Sequence, residues 1–194
     1  MTLENNEPIF IHSLFRSGST YVYNAIKRTE RFYIYHEPFH EVIANLPTEW
    51  ADFANRTSQL KDLLRHDFLS GGYFDEYAPL LEEIKQNFSP DFSYKYYFLD
   101  EQDDAPPLKS YLDGLMKGSP RKPVFQCTRT SGRISWIKKN YPSKHIFLAR
   151  NPWDQWFSYK VDAYISQTPQ FIYSQPRLPK VLQAIMEVNG FRPL

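Results

Sequence analysis

At 194 residues the chain is long enough for one hydrophobic core of ordinary size, and its length gives no reason to expect two. Lys+Arg 23 against Asp+Glu 22 leaves a net charge of +1, which excludes the broad basic field that nucleic-acid binding requires. A single cysteine, Cys127, rules out an internal disulfide, and no apolar stretch approaches the length needed to cross a membrane.

The first element spans Pro8 to His12, where Ile9, Phe10 and Ile11 in succession suit a strand buried on both faces. It stops at a polar turn, Arg16-Ser17-Gly18-Ser19-Thr20, which opens a helix over about 18 to 28. Gly18 lets the backbone approach a ligand, the first-turn amides lack intrahelical acceptors, and Arg16 adds a charged fork of donors. This composition suits an anion, phosphate first of all; the ordinary alternative is a serine-rich helix cap. A Walker A loop would need a glycine near Ser13 and a lysine at Ser19, so the sequence does not support ATP- or GTP-dependent phosphotransfer.

A short aromatic strand over 31 to 35 ends in Glu37-Pro38. The residue before a proline is pushed toward extended geometry, so Glu37 is expected to leave the strand extended and face the crevice. His36 and His40 flank it. Strand alternation turns His36 away, and His40 lies beyond the turn. His12, at the end of the first strand, is a second-tier ligand candidate.

The middle of the chain, 40 to 110, is rich in Tyr, Phe and acidic residues, with helical stretches between about 49 and 88 and breaks at Gly71-Gly72 and Pro106-Pro107. It reads as a helical insertion over the mouth of the site, where Tyr94, Tyr96, Tyr97 and Phe98 either stack on a sugar or fill the core. A buried strand follows over 123 to 127, then Arg129 and a helix over 132 to 139 that stops before Pro142. Arg129 and Arg133 read equally as anion ligands and as solvated positions near a helix start.

An apolar strand over 145 to 149, with Ile146, Phe147 and Leu148, runs through Arg150 and Asn151-Pro152 into a helix over 152 to 165 that carries Ser158. Arg150 with a hydroxyl beside it suits a phosphate dianion, and Pro152 fits a first helical position. The ordinary alternatives are an Arg150–Asp154 surface pair and a solvent-facing Ser158. Trp153 and Trp156 offer stacking surfaces, one of them expected in the core. Lys180 to Val188 form a last amphipathic segment. Alternating strands and helices imply a three-layer α/β/α fold with a central parallel sheet, its ligands at the carboxyl ends of the strands.

Together these motifs resemble the PAPS-dependent sulfotransferases. Arg16 to Thr20 resemble their 5'-phosphosulfate loop, and Arg150, Asn151-Pro152 and Ser158 their 3'-phosphate element. RFYIYHEPFH, residues 31 to 40, is similar to the strand and Glu-Pro turn of the carbohydrate and bacterial branch. The resemblance implies a single P-loop-NTPase-like domain over 1 to 194 that transfers a sulfonate group from PAPS to a hydroxyl of a carbohydrate or small metabolite, releasing PAP without a metal. Arg16, Ser17, Gly18, Ser19, Thr20, Tyr21, Arg150 and Ser158 would bind the cofactor. Glu37 would be the general base that an alcohol needs before it attacks, and Arg16 would stabilise charge on the leaving phosphate. Unlike animal Golgi members the chain shows no membrane anchor or leader, so the expected location is cytoplasmic. The late Gly-rich or basic segment of many members has no counterpart in 166 to 194, which makes the C-terminal part short for the family. A PAP- or phosphate-binding module without turnover remains the alternative, followed by a P-loop nucleotide phosphotransferase.

Overall fold

The computed structural model describes residues 7–46, 74–159 and 172–190. Within them lie β1 (Ile9–Ser13), α1 (Ser19–Lys27), β2 (Tyr33–His36), α2 (Leu81–Asn87), α3 (Pro106–Gly118), β3 (Pro123–Cys127), α4 (Ile134–Asn140), β4 (Lys144–Leu148), α5 (Pro152–Tyr159) and α6 (Lys180–Asn189), with short 3-10 turns at Glu41–Asn45, Asp75–Leu80 and Pro90–Phe92. The strands form one parallel sheet in the order β2-β3-β1-β4. The protein is therefore α/β. The expected helices between about 49 and 73, and the part of the helix expected beyond residue 159, lie outside the described residues.

Strand alternation sorts the core onto the two sheet faces. Phe10, Tyr35, Phe125 and Cys127 pack with Leu108, Tyr111, Leu112 and Leu115 of α3 and Trp136 and Ile137 of α4. Ile11, Ile34 and Val124 pack with Tyr23 and the flanking Val22 and Ile26 of α1. Helices thus cover both faces, as a parallel sheet requires.

One register row runs across all four strands. Tyr35 opposes Phe125, Phe125 opposes Phe10, and Phe10 opposes His145. The rings stack at 5.2, 4.9 and 5.7 Å between centroids. Parallel pairing sets such neighbours directly side by side, so the row fastens the register as well as filling the core.

Three elements depart from the sequence expectation. Pro106-Pro107 does not break the chain but starts α3, because a proline at the first helical positions gives up only amides that have no intrahelical partner. β4 is apolar yet lies at the sheet edge, leaving Ile146 and Phe147 about half exposed. Neither Trp153 nor Trp156 is core; both are exposed on α5 and meet edge to face.

Candidate functional site

The connection from β1 to α1 is a tight loop with two left-handed residues, Arg16 at φ 63° and Gly18 at φ 91°. A side chain at Gly18 would meet nothing within 4 Å, so what requires glycine there is the backbone angle. Gly18 is the N-cap of α1 and supplies no capping side chain, and no acidic residue sits in the first turn. The start of α1 therefore carries its positive end uncompensated. The serine-cap alternative is not what the loop adopts. Ser17 turns back instead, donating from Oγ to Leu14 O at 2.7 Å. Ser19 is buried, Thr20 half-buried and Tyr21 exposed.

The segment after β4 closes onto this loop. Asn151 caps α5 by accepting from Trp153 N at 2.9 Å, and Pro152 takes the first helical position. Across the gap, Arg16 Nε donates to Ser158 Oγ at 3.0 Å and Arg150 Nη1 donates to Arg16 O at 3.3 Å. Gln155 Nε2 donates to Phe15 O at 2.6 Å. Arg16, Arg150 and Ser158 therefore meet at one place. Arg150 makes this contact in place of the surface pair with Asp154, and Ser158 is half-buried rather than facing solvent.

Glu37 stands at the carboxyl end of β2, only 7 % exposed. Its φ is 45°, so it is left-handed and not extended as the following proline suggested. The turn explains this: Glu37 N donates to Gln126 O at 2.8 Å and His40 N donates back to Glu37 O at 2.9 Å, and these tertiary bonds outweigh the local preference. The carboxylate points inward. Oε2 accepts from Thr128 Oγ1 at 2.8 Å and Thr128 N at 3.0 Å, and Oε1 accepts from Gln126 Nε2 at 3.2 Å. Arg129 adds a contact at 3.5 Å and reaches Glu41 at 3.3 Å.

Both arginines after β3 are buried, and neither is solvated. Arg129 bridges Glu37 and Glu41 and lies over the Phe15 ring. Arg133 is committed to the protein interior, donating to Arg129 O and Phe92 O and lying 4.5 Å from the Phe39 ring centroid. The rival bases are also committed. His36 packs its ring on Tyr23 and Phe74, and burial lowers its pKa. His40 accepts from Val42 N, and burial, then Arg129, push its pKa down to about 3. His12 is bonded to Thr130 and His145. Among the aromatics of the insertion, Tyr97 is core and Tyr94 exposed.

Sequence reasoning missed Thr128, Gln126, Glu41 and Gln155. Two of them leave a trace. Gln126 interrupts an apolar strand, and Gln155 lies three residues before Ser158, hence on the same helix face. Glu76 leaves none: it is buried beside β2, accepting from Tyr23 Oη at 2.9 Å and His36 N at 2.7 Å, and burial raises its pKa. An open groove of about 540 Å³ beside α6, lined by Gln175, Leu178, Gln183, Met186 and Glu187 among others, shares no residue with this set.

The donor set of Arg16, Arg150, Ser158 and the start of α1 fits a multiply charged anion. Among the described residues no group of three or more His, Cys, Asp or Glu could hold a metal, and no helix is long and apolar enough to cross a membrane. No family model, no curated protein and no solved structure matches the chain.

Proposed function

We propose that the chain is a P-loop-like sulfotransferase that binds PAPS across the carboxyl ends of β1 and β4 and passes its sulfonate to a hydroxyl acceptor. The observation that carries this reading is the contact between Arg16 and Ser158, with Arg150 on the same loop: two phosphate-type motifs far apart in sequence share one locus. The 5' end of the nucleotide would lie on the amides after Gly18 and on Arg16, Ser19 and Thr20, and its 3'-phosphate on Arg150 and Ser158. PAPS supplies the activated sulfonate. The protein supplies position and positive charge, with Arg16 beside the phosphate that leaves.

Glu37 is the buried carboxylate proposed as the base, and Arg129, stacked on Phe15 and touching Glu37, links it to this loop. A base must be free to take a proton, whereas donors from Thr128, Gln126 and Arg129 already face both oxygens of Glu37. That observation favours a second reading, a PAP-binding module without turnover.

Calorimetric titration with PAP in chelator, with ATP as control, tests the common part. Metal-free binding of PAP and not of ATP is the expected result, and absence of PAP binding overturns both readings. Sulfonate transfer from PAPS in an acceptor screen then separates enzyme from module.

A further inference from the structure

Beside the loop, the bonds of His12 belong to a longer row of polar side chains that runs from Thr130, after β3, across β1 and β4 to Ser143, just before β4. Thr130 Oγ1 and His12 Nδ1 are 2.8 Å apart, His12 Nε2 and His145 Nδ1 are 2.8 Å apart, and His145 Nε2 and Ser143 Oγ are 2.9 Å apart. The two imidazoles lie nearly parallel, 5.1 Å between centroids. His12 and Thr130 are buried, His145 partly so.

The hydrogens in this row can be assigned. Ser143 has one hydroxyl hydrogen and donates it to Tyr141 O, an acceptor only, at 2.8 Å. The ring must then donate to Ser143, so His145 carries its hydrogen on Nε2 and accepts at Nδ1. His12 therefore donates from Nε2 and accepts at Nδ1 from Thr130. Both rings are neutral Nε2–H tautomers, and every bond in the row points the same way.

One added proton cannot be absorbed without reversal. On either ring it ends by placing an N–H at His12 Nδ1 against the Thr130 hydroxyl, which must turn. A second proton sets N–H against N–H between the rings, and the bond joining β1 to β4 is gone. The groups facing the pair do not relieve this. They are Phe10 on β1, the buried neutral thiol of Cys127 opposite His12 on β3, the Tyr141 carbonyl that ends the row through Ser143, and Lys138 on α4, whose charge opposes protonation of His145.

We propose that the His12–His145 pair is an acid-sensitive latch holding the edge strand β4, and with it Arg150, Gln155 and Ser158, against the β1–α1 loop. Release of the latch dismantles the anion site before the rest of the sheet opens; the ligand consequence rests on the function proposed above, while the latch itself does not. Among the described residues β4 pairs on one side only and is half exposed, so it is the strand whose local opening takes least. Burial lowers the pKa of both histidines, that of His12 to about 4, as expected for rings that charge only when the latch is open. In the opened form each charges near pH 6.5, so lowering the pH from 7.5 to 5.5 raises the opened population by roughly tenfold to a hundredfold.

The test uses the whole chain. At pH 7.5, nitrogen-15 spectra of the histidine rings should show Nε2–H and unprotonated Nδ1 for both His12 and His145; an Nδ1–H form of either overturns the assignment. Amide exchange, corrected for its intrinsic pH dependence, should show β4 losing at least tenfold more protection than β3 between pH 7.5 and 5.5. Equal loss in the two strands overturns the latch. His145→Asn, whose Oδ1 still accepts from His12 but does not titrate, should flatten that difference and also the relative fall in PAP affinity. If neither protein binds PAP at pH 7.5, the sulfotransferase reading fails and the latch is still decided by tautomers and exchange.

Discussion

Arg16 and Ser158, 142 residues apart in sequence, share a hydrogen bond of 3.0 Å from Nε to Oγ. A left-handed arginine held by the helix that follows the edge strand is a preorganised charge, since its backbone carbonyl is fixed by Arg150 as well. Pre-set donors lose little entropy when an anion arrives.

Arg16→Ala should therefore weaken PAP binding by tenfold to a hundredfold, the equivalent of about 1.5–3 kcal/mol for hydrogen bonds to a charged group. Ser158→Ala should cost less than tenfold, and the double variant less than the product of the two, because the residues are in contact. Calorimetry measures all three. An Arg16→Ala protein that binds PAP like the parent would remove the loop from the site.

Glu37→Gln separates base from scaffold. The substitution keeps the side-chain volume but sets an amide against Thr128 N–H and Arg129, while Glu41 still holds Arg129. If Glu37 takes the acceptor's proton, transfer should fall by at least about a hundredfold, with PAP affinity within threefold of the parent. Turnover that survives the substitution rules the residue out as base.

Where the chain carried its own explanation, the structure follows the sequence closely. β3 spans Pro123–Cys127 as its mostly apolar run, interrupted only by Gln126, predicts, because a strand with neighbours on both sides and helices on both faces has no solvent face to write into the sequence. α3 was missed, because Pro106-Pro107 reads as a break although Leu108, Tyr111, Leu112 and Leu115 carry a helical spacing just after it. Glu37 and the two arginines were not legible either. The turn angle of Glu37 is set by backbone bonds to β3, Arg129 finds carboxylates 92 and 88 residues away, and Arg133 finds the carbonyl of Phe92. Local rules cannot see partners that only the tertiary fold supplies.

Arg133 shows what such a partner contributes. The guanidinium is fully buried with backbone carbonyls, and no carboxylate, as its hydrogen-bond partners among the described residues, and burial draws its pKa down to about 10, so it stays charged at neutral pH. Its fork holds the carbonyls of Arg129 and Phe92 at once, 2.8 and 2.7 Å from Nη2, which a lysine cannot reproduce. Arg133→Lys should destabilise the fold by about 2–4 kcal/mol, seen as a melting temperature roughly 5–15 °C lower. An unchanged melting temperature would mean that the loop from Thr128 to Arg133 is held by other contacts.

The histidines give the fold a pH limit. Burial lowers the pKa of His12 to about 4 and of His40 to about 3, and it lowers those of His36 and His145 as well. In the unfolded chain each titrates near 6.5, so below that pH the unfolded state binds protons that the native state refuses. Their stabilising effect is complete above about pH 6.5 and is lost progressively as the pH falls through the native values. Glu76 acts in the opposite sense, because burial raises its pKa and its neutral form favours the native state in acid. One carboxyl does not offset three well-buried rings, and His12 alone accounts for a loss on the order of 1–3 kcal/mol between pH 7 and 4. Urea midpoints taken at pH 7.5, 6.0 and 5.0 should fall at each step, and His40→Gln should make the fall shallower. A midpoint that holds or rises toward pH 5.0 would show that these rings are charged in the native protein.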